Sequence, residues 1–302
     1  MMSTIIVKEI SKRFGEQLAV DHVSFSVEPG EIFGLLGPNG AGKTTTLRII
    51  LDIFKPDSGQ VEIMGGAMSE AKKDRIGYLP EERGLYQDIP LEQCLVYLAT
   101  LKGLSGEEAT TRVRAWLERF DLFDDRKKKV KELSKGMQQK AQLITTLVHD
   151  PELIVIDEPF SALDPVNTQM VKDLLREERE RGKTIIMCTH QMHQVEELCD
   201  RLVLINRGKA VLYGRLEEIR RNYTGKDVIV HAVGGLPPTI PGVDSMEKEN
   251  SAYRLHLSPA QTPQELLRYL VSTDIAIDRF ELALPTLDEI FIQIVTGEEV
   301  QA

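Results

Sequence analysis

Cysteine is scarce in this sequence: Cys94, Cys188 and Cys199 are the only three in 302 residues, and no two stand in CxxC spacing. That excludes a disulfide framework and a thiolate zinc site, and it fits a chain kept reduced in the cytosol. Long apolar runs are missing too. A membrane-spanning helix needs about 18–20 consecutive apolar residues, whereas the best stretches here, Leu153–Ile156 and Thr184–Cys188, are only strand-length. Met1–Glu9 has no cationic segment followed by a long apolar one, so no secretory signal is expected, and a role at a membrane would require a partner to bring the chain there. Nor is there an excess of positive charge: 37 Lys+Arg stand against 47 Asp+Glu, a formal net charge of -10. A broad grip on nucleic acid, which wants a basic face, is thereby disfavoured. Binding of a single nucleotide is not, because loop amides and one lysine suffice for it.

What the sequence does contain is 42% hydrophobic and 28% charged residues, the composition of a globular protein with a sizeable core. At roughly 150 residues per domain, the length allows about two domains. Short β-rich runs open the chain at Thr4–Val7, Ala19–Val27 and Glu31–Leu36. The third stops at a cluster of glycines, and Lys43–Leu51 reads as a helix directly behind them. A strand is expected at Gln60–Met64. From about Pro90 to Val130 the spacing turns helical, with Leu91, Leu95 and Leu98, then Val113, Trp116, Leu117 and Phe120, recurring near one turn apart. Two further apolar runs, Glu152–Asp157 and Thr184–Thr189, flank a charged helix at Met170–Arg181. Strands alternating with helices indicate an α/β fold with a mainly parallel sheet. Beyond Asn222 the texture changes to a small α+β appendage, with strands at Asp227–Val233, Tyr253–Leu257 and Ile275–Leu282, a helix at Pro263–Val271 and a loop at Gly234–Gly242.

The strongest motif is Gly37-Pro38-Asn39-Gly40-Ala41-Gly42-Lys43-Thr44, a full match to GxxxxGK[ST] between an apolar strand and a helix. Its glycines let successive N–H groups curl around an anion, and the helix adds its positive end. Lys43 supplies a point charge for the β- and γ-phosphates, the Thr44 hydroxyl can ligate Mg²⁺, and Thr45 lies one residue further along the same first turn. The chain is therefore expected to bind a nucleoside triphosphate. Leu153–Asp157 followed by Glu158 supplies the second half: a buried strand delivers carboxylates at its C-terminal end, where ligands sit in open α/β sheets. Asp157 can orient Mg²⁺ through water, and Glu158, on the other side of the strand axis, is placed to polarise an attacking water.

Together with these motifs, Leu133-Ser134-Lys135-Gly136-Met137-Gln138, Ser161-Ala162-Leu163-Asp164 and Thr189-His190 resemble, in order and spacing, the signature motif, D-loop and switch histidine of the ATP-binding subunit of ABC transporters. Lys135 and Met137 replace the usual glycine and glutamine. The resemblance covers roughly residues 4–220 and implies a P-loop ATPase domain over 1–222, with a helical subdomain at about 88–145. It implies that Ser134 and Gly136 reach the nucleotide of a second subunit, so that a homodimer closes over two ATP molecules. It further implies that Asp164 ties the halves together and that His190 holds Glu158 and the water in line. Lys135 either adds charge near that site or faces solvent. Phe14 either stacks on adenine or belongs to the core. Glu81 stands where the family usually has glutamine; it can offer oxygen to Mg²⁺ but adds negative charge beside the phosphates.

Residues 223–302 resemble an appendage found on sodium-export and drug-export ATPases of this family. Leu287, Ile290, Phe291 and Ile294 form one helix face, either for the appendage's own core or for a dimer or regulatory contact. The resemblance implies an ATPase peripheral to the cytoplasmic face of the membrane, docked as a dimer on an integral permease and powering export of an ion or drug-like cargo. Two rivals stand beside it. One is a non-transport ATPase of the same superfamily acting on a soluble partner. The other is a nucleotide sensor without turnover, which the presence of Glu158 and His190 disfavours.

Overall fold

The computed structural model describes residues 3–82, 84–249, 252–273 and 275–296. The chain divides into two compact units, Met1–Gly214 and Arg215–Ala302. The first runs β1 (Ile5–Phe14), β2 (Gln17–Val27), β3 (Ile32–Leu36), α1 (Lys43–Ile50), β4 (Ser58–Ile63), α2 (Glu70–Lys73), β5 (Ile76–Leu79), α3 (Leu91–Leu101), α4 (Gly106–Arg119), α5 (Lys135–Leu147), β6 (Leu153–Asp157), α6 (Pro165–Glu180), β7 (Thr184–Thr189), α7 (Met192–Leu198), β8 (Arg201–Asn206) and β9 (Lys209–Arg215). The second continues with α8 (Leu216–Asn222), β10 (Val228–Ala232), β11 (Val243–Glu249), β12 (Ala252–Leu257), α9 (Pro263–Ser272), β13 (Ile277–Leu282) and α10 (Leu287–Thr296).

A six-stranded sheet of order β5-β6-β7-β3-β8-β9 organises the first unit, and its pairs from β5 through β8 are parallel. Every residue of β3, β6 and β7 is buried, which is why these strands read as unbroken apolar runs: helices cover both faces of a parallel sheet. Register fixes the chemistry. Leu36 pairs with Thr189 and Asp157 with Cys188, so the ends of β3, β6 and β7 emerge at one sheet edge. The loops that follow them meet there.

A second, antiparallel sheet, β2-β1-β4, packs beside the first. β1 extends past Val7 to Phe14, further than its apolar pattern suggests. Register shifts between Val7 and Ile10 and between Ile10 and Lys12, with Glu9 at φ 48, break the alternation of a regular strand. In the helical insertion, Leu91, Cys94, Leu95, Val113, Leu117 and Phe120 are buried, while Leu98 and Trp116 are half-buried. Each fully buried leucine there contributes about 1.5–3 kcal/mol relative to exposure. The insertion is closed at its base where Leu91 N donates to Lys128 O (2.9 Å) and Val130 N to Ile89 O (3.1 Å). Helix α6 starts at Pro165 rather than Met170. Asp164 caps it, accepting from Asn167 N at 2.9 Å, and Pro165 suits a first turn whose N–H needs no partner.

The second unit is a four-stranded antiparallel sheet, β11-β12-β10-β13. Val228, Val230, Leu255 and Leu257 on one sheet face pack with Leu266 and Leu270 of α9. Helix α9 opens with a Thr262/Glu265 capping box. The division between units precedes α8 instead of following it. Leu216 and Ile219 are buried, and Arg220 Nε donates to Pro285 O at 2.9 Å, tying α8 to what comes after it. Strand β11 was not expected from the sequence; it is an edge strand rich in charge, and a register shift between Val243 and Ser245 hides the alternation by which Val243 and Met246 reach the core.

Candidate functional site

The phosphate loop leaves β3 at Leu36 and enters α1 at Lys43. Gly37, Gly40 and Gly42 have φ of 148, 76 and 106. Glycine is needed most at Gly37 and Gly42, where a Cβ would lie 2.1 Å from Ile205 O and 2.3 Å from Ala19 O. Ala41 O accepts from Gly208 N and Gly208 O from Asp21 N, both at 2.8 Å, so the loop is braced by the β8–β9 turn and by β2. No side chain caps α1 and no acid occupies its first turn, leaving a helix N-terminus suited to an anion. Lys43 is buried, and its Nζ donates to Gly37 O (2.8 Å) and Pro38 O (3.2 Å). Thr44 and Thr45 are half-buried beside it, Pro38 is half-buried, Ala41 is buried, and Asn39 and Gly40 are exposed at the rim.

Thr44 Oγ1 donates to Asp157 Oδ2 at 3.1 Å, joining the loop to the end of β6. Asp157 is only 1% exposed. Burial pushes its carboxyl above the usual carboxylate range, against hydrogen bonds from Cys188 and Thr44 that favour the charged form. The same burial pushes the Cys188 thiol up. Glu158 follows with φ 51, an uncommon conformation for a non-glycine residue, and its N–H donates to Cys188 O at 2.9 Å. Both of its carboxylate oxygens are engaged from β7: Oε1 accepts from His190 N (2.9 Å) and Nδ1 (2.6 Å), and Oε2 from Thr189 Oγ1 (3.1 Å). Glu158 is buried while His190 stays exposed. The residues of three strand ends thus converge: a phosphate cradle, a buried hydroxyl–carboxylate pair and an oriented glutamate.

The other expected site residues lie around this centre in different ways. Ser134 caps α5, accepting from Met137 N at 3.2 Å, and no acid occupies that helix's first turn. A Cβ on Gly136 would lie 3.1 Å from Ala162 O, so the signature segment abuts the loop before α6. Among the described residues no hydrogen bond joins Ser134 or Gly136 to the phosphate loop of the same chain. Lys135 is exposed. Asp164 is exposed and occupied as a cap, and its bonds to Asn167 hold its carboxyl below the usual range. Phe14 is 45% exposed, which removes the core alternative. It stands edge-on to Phe54 with centroids 5.5 Å apart. Glu81 is exposed in the loop after β5, and its carboxylate makes no hydrogen bond among the described residues. One residue passed over in the sequence is Gln139. Buried on α5, it donates through Nε2 to Pro159 O (3.1 Å) and Glu158 O (3.4 Å). A glutamine in a helix offers no pattern by which to single it out.

A parallel sheet whose strand ends carry this loop and these carboxylates defines a P-loop nucleotide-binding protein. Comparison with known proteins narrows the class. Residues 20–161 match the family model described as ABC transporter, and residues 214–295 match "ATP-binding protein DrrA1-3-like, C-terminal domain". The ABC transporter ATP-binding protein YhaQ of Bacillus subtilis is 40% identical over 291 residues, covering 96% of this chain and 97% of its own. The Nod factor export ATP-binding protein I of Burkholderia orbicola is 34% identical over 311 residues, with 99% of each chain covered. A solved structure of an ATP-binding subunit of an ABC transporter superposes with TM-score 0.68 at 32% identity, covering 73% of this chain and 93% of that one. This protein belongs to the ATP-binding subunits of ABC transporters, a family of ATP-binding proteins with ATPase activity, and it carries their DrrA-like C-terminal domain.

Proposed function

We propose that this chain is the ATP-hydrolysing subunit of an exporter, working as a homodimer docked on an integral membrane permease at the cytoplasmic face. The observation that carries the reading is Glu158, held on both oxygens by Thr189 and His190 beside the phosphate loop. In the proposed reaction the loop amides and Lys43 take the β- and γ-phosphates, with Nζ released from Gly37 O and Pro38 O. Phe14 offers its exposed ring to adenine. The hard oxygen donors of Thr44 and Asp157, already bonded to each other at 3.1 Å, suit Mg²⁺, which would neutralise phosphate charge. Glu158 orients and deprotonates the attacking water, and His190 fixes its carboxylate and bonds the γ-phosphate. Ser134 and Gly136, at the start of α5, serve the nucleotide of the second subunit, and Asp164 lies at the dimer seam. Glu81 contributes an outer oxygen at most.

Permease docking is supported by the surface between the loop after β5 and the helical insertion. A cleft of about 330 Å³ is lined by Pro80, Leu85, Leu98, Leu101, Lys102 and His149. Tyr86, Tyr97 and Leu101 are exposed around that loop and α3. Among the described residues no helix is long and apolar enough to cross a membrane. The export direction rests on relatives named for Nod factor export, and an ion or drug-like cargo on the resemblance of residues 223–302 to the appendage of sodium-export and drug-export ATPases. The test is to isolate the tagged protein from gently solubilised native membranes and identify its companions. A stoichiometric multi-span permease is expected. Ribosomal or other soluble partners in its place would overturn the transport reading and leave the ATPase chemistry standing.

A further inference from the structure

The second unit holds a cleft of about 950 Å³, the size of a small-molecule site. Strand alternation explains its polarity. In β12, Leu255 and Leu257 point into the hydrophobic core under α9, so Arg254 and His256 point to the opposite sheet face. That face forms the floor of the cleft. The segment 222–227 forms one wall, and Glu289 and Gln293, one turn apart on α10, form another.

Among the described residues two buried polar atoms in this lining have no hydrogen-bond partner: Asp227 Oδ1 and Arg254 Nε. Asp227 is only 5% exposed. Its other oxygen accepts from His256 Nδ1 at 2.7 Å. Arg254 reaches Glu289 with long bonds, 3.2 Å from Nη1 and 3.5 Å from Nη2, and leaves Nε unmade. Lys226 at the rim bonds Pro259 O at 2.7 Å, and among the described residues it makes no ion pair. Asp244 lies on the same lining. Buried polar groups are ordinarily satisfied, and a buried carboxylate oxygen in the wall and a guanidinium N–H in the floor of one cleft, both unsatisfied, are complementary demands. One needs a donor and the other an acceptor.

An anion alone would meet Asp227, Asp244 and Glu289. A cation alone would meet Arg254 and Lys226, and among the described residues no His/Cys/Asp/Glu group is arranged to hold a metal. We propose that this cleft binds a small zwitterion of amino-acid to dipeptide size, its ammonium directed to Asp227 and its carboxylate to Arg254 and Lys226. The site is independent of the nucleotide reading: it lies wholly within Arg215–Ala302 and uses none of the residues assigned to ATP.

The test is calorimetric titration of the full-length protein with a panel of free amino acids and Gly-, Ala-, Leu- and Lys-containing dipeptides. Acetate and ethylamine serve as half-ligands. Saturable binding of at least one zwitterion is expected, with acetate and ethylamine each weaker by about tenfold or more. Lys226→Glu, at an exposed position whose side chain bonds only a carbonyl among the described residues, is expected to keep the melting temperature and weaken that binding about tenfold. Asp227→Asn should weaken it as well. Absence of heat across the whole panel would overturn the proposal. So would acetate or ethylamine binding as tightly as the best zwitterion, or zwitterion binding indifferent to Lys226→Glu.

Discussion

Replacing Glu158 by glutamine removes the proton acceptor while sparing almost everything that holds the residue. The Oε1 position keeps an acceptor for His190 N and Nδ1, at 2.9 and 2.6 Å. At the Oε2 position the new amide meets the Thr189 hydroxyl, which can rotate from donor to acceptor across the same 3.1 Å. The backbone bond from Glu158 N to Cys188 O is untouched. Fold and nucleotide affinity should therefore stay within error of the parent. General-base assistance is worth about 10²–10⁴ in rate, or about 2.7–5.4 kcal/mol at 1.36 kcal/mol per decade. The assay is steady-state phosphate release, paired with equilibrium binding of a fluorescent ATP analogue and a melting curve on the same preparation. A Glu158→Gln protein that released phosphate at the parental rate would refute the role assigned to the carboxylate. Loss of binding in parallel with turnover would refute the claim that the residue acts on the water instead of the nucleotide.

Three further perturbations probe the surroundings. Gly42→Ala places a Cβ 2.3 Å from Ala19 O at φ 106 and should cost about 1–3 kcal/mol in strain and lower ATP affinity, whereas Gly40→Ala, with open space around its Cβ, should be milder; titration with ATP separates them. Asp157→Asn should raise the melting temperature of the nucleotide-free protein while abolishing turnover, because burial disfavours the charged carboxylate in the folded state; a lower melting temperature would contradict that account. His149 is half-buried and held at about 4, below its ordinary 6.5, chiefly by burial, so the unfolded chain binds more protons between those values. Stability contributed by neutral His149 should be present above pH 6.5 and lost as pH falls toward 4. Melting curves of His149→Gln should show a shallower decline across that window than the parent.

The elements legible in the sequence were those buried on both faces or marked by glycine. β3, β6 and β7 are continuous apolar runs because both sides of each are covered, and Gly37 and Gly42 of the phosphate loop are fixed by positive φ values and close carbonyls. What stayed hidden has opposite physics. β1 is broken by bulges, and β11 lies at an edge and is mostly charged. Gly234–Gly242 is the loop that the sequence suggested, but the sequence did not show that it carries Ile240, 3% exposed, into the core of the second unit. For the helix face of Leu287, Ile290, Phe291 and Ile294, the first two are buried and the last two half-buried. Position in the chain also cannot reveal that Asp164, expected at a subunit seam, is also the residue that starts α6.

Gln139 shows how the parts of the site are wired in a way no motif expresses. It sits on α5, one turn past Gly136, and its amide holds the carbonyls of Glu158 and Pro159. Gly136 itself abuts Ala162 O. The helix that begins at Ser134 is thus bonded through Gln139 to the backbone that carries Glu158, whose φ of 51 already departs from the relaxed range. A displacement of α5 cannot leave Glu158 unmoved without breaking buried hydrogen bonds, which cost about 1–3 kcal/mol when a partner is left unsatisfied. Under the proposed roles, in which Ser134 serves a phosphate and Glu158 the attacking water, a pull on Ser134 would pass through Gln139 to the backbone of the glutamate.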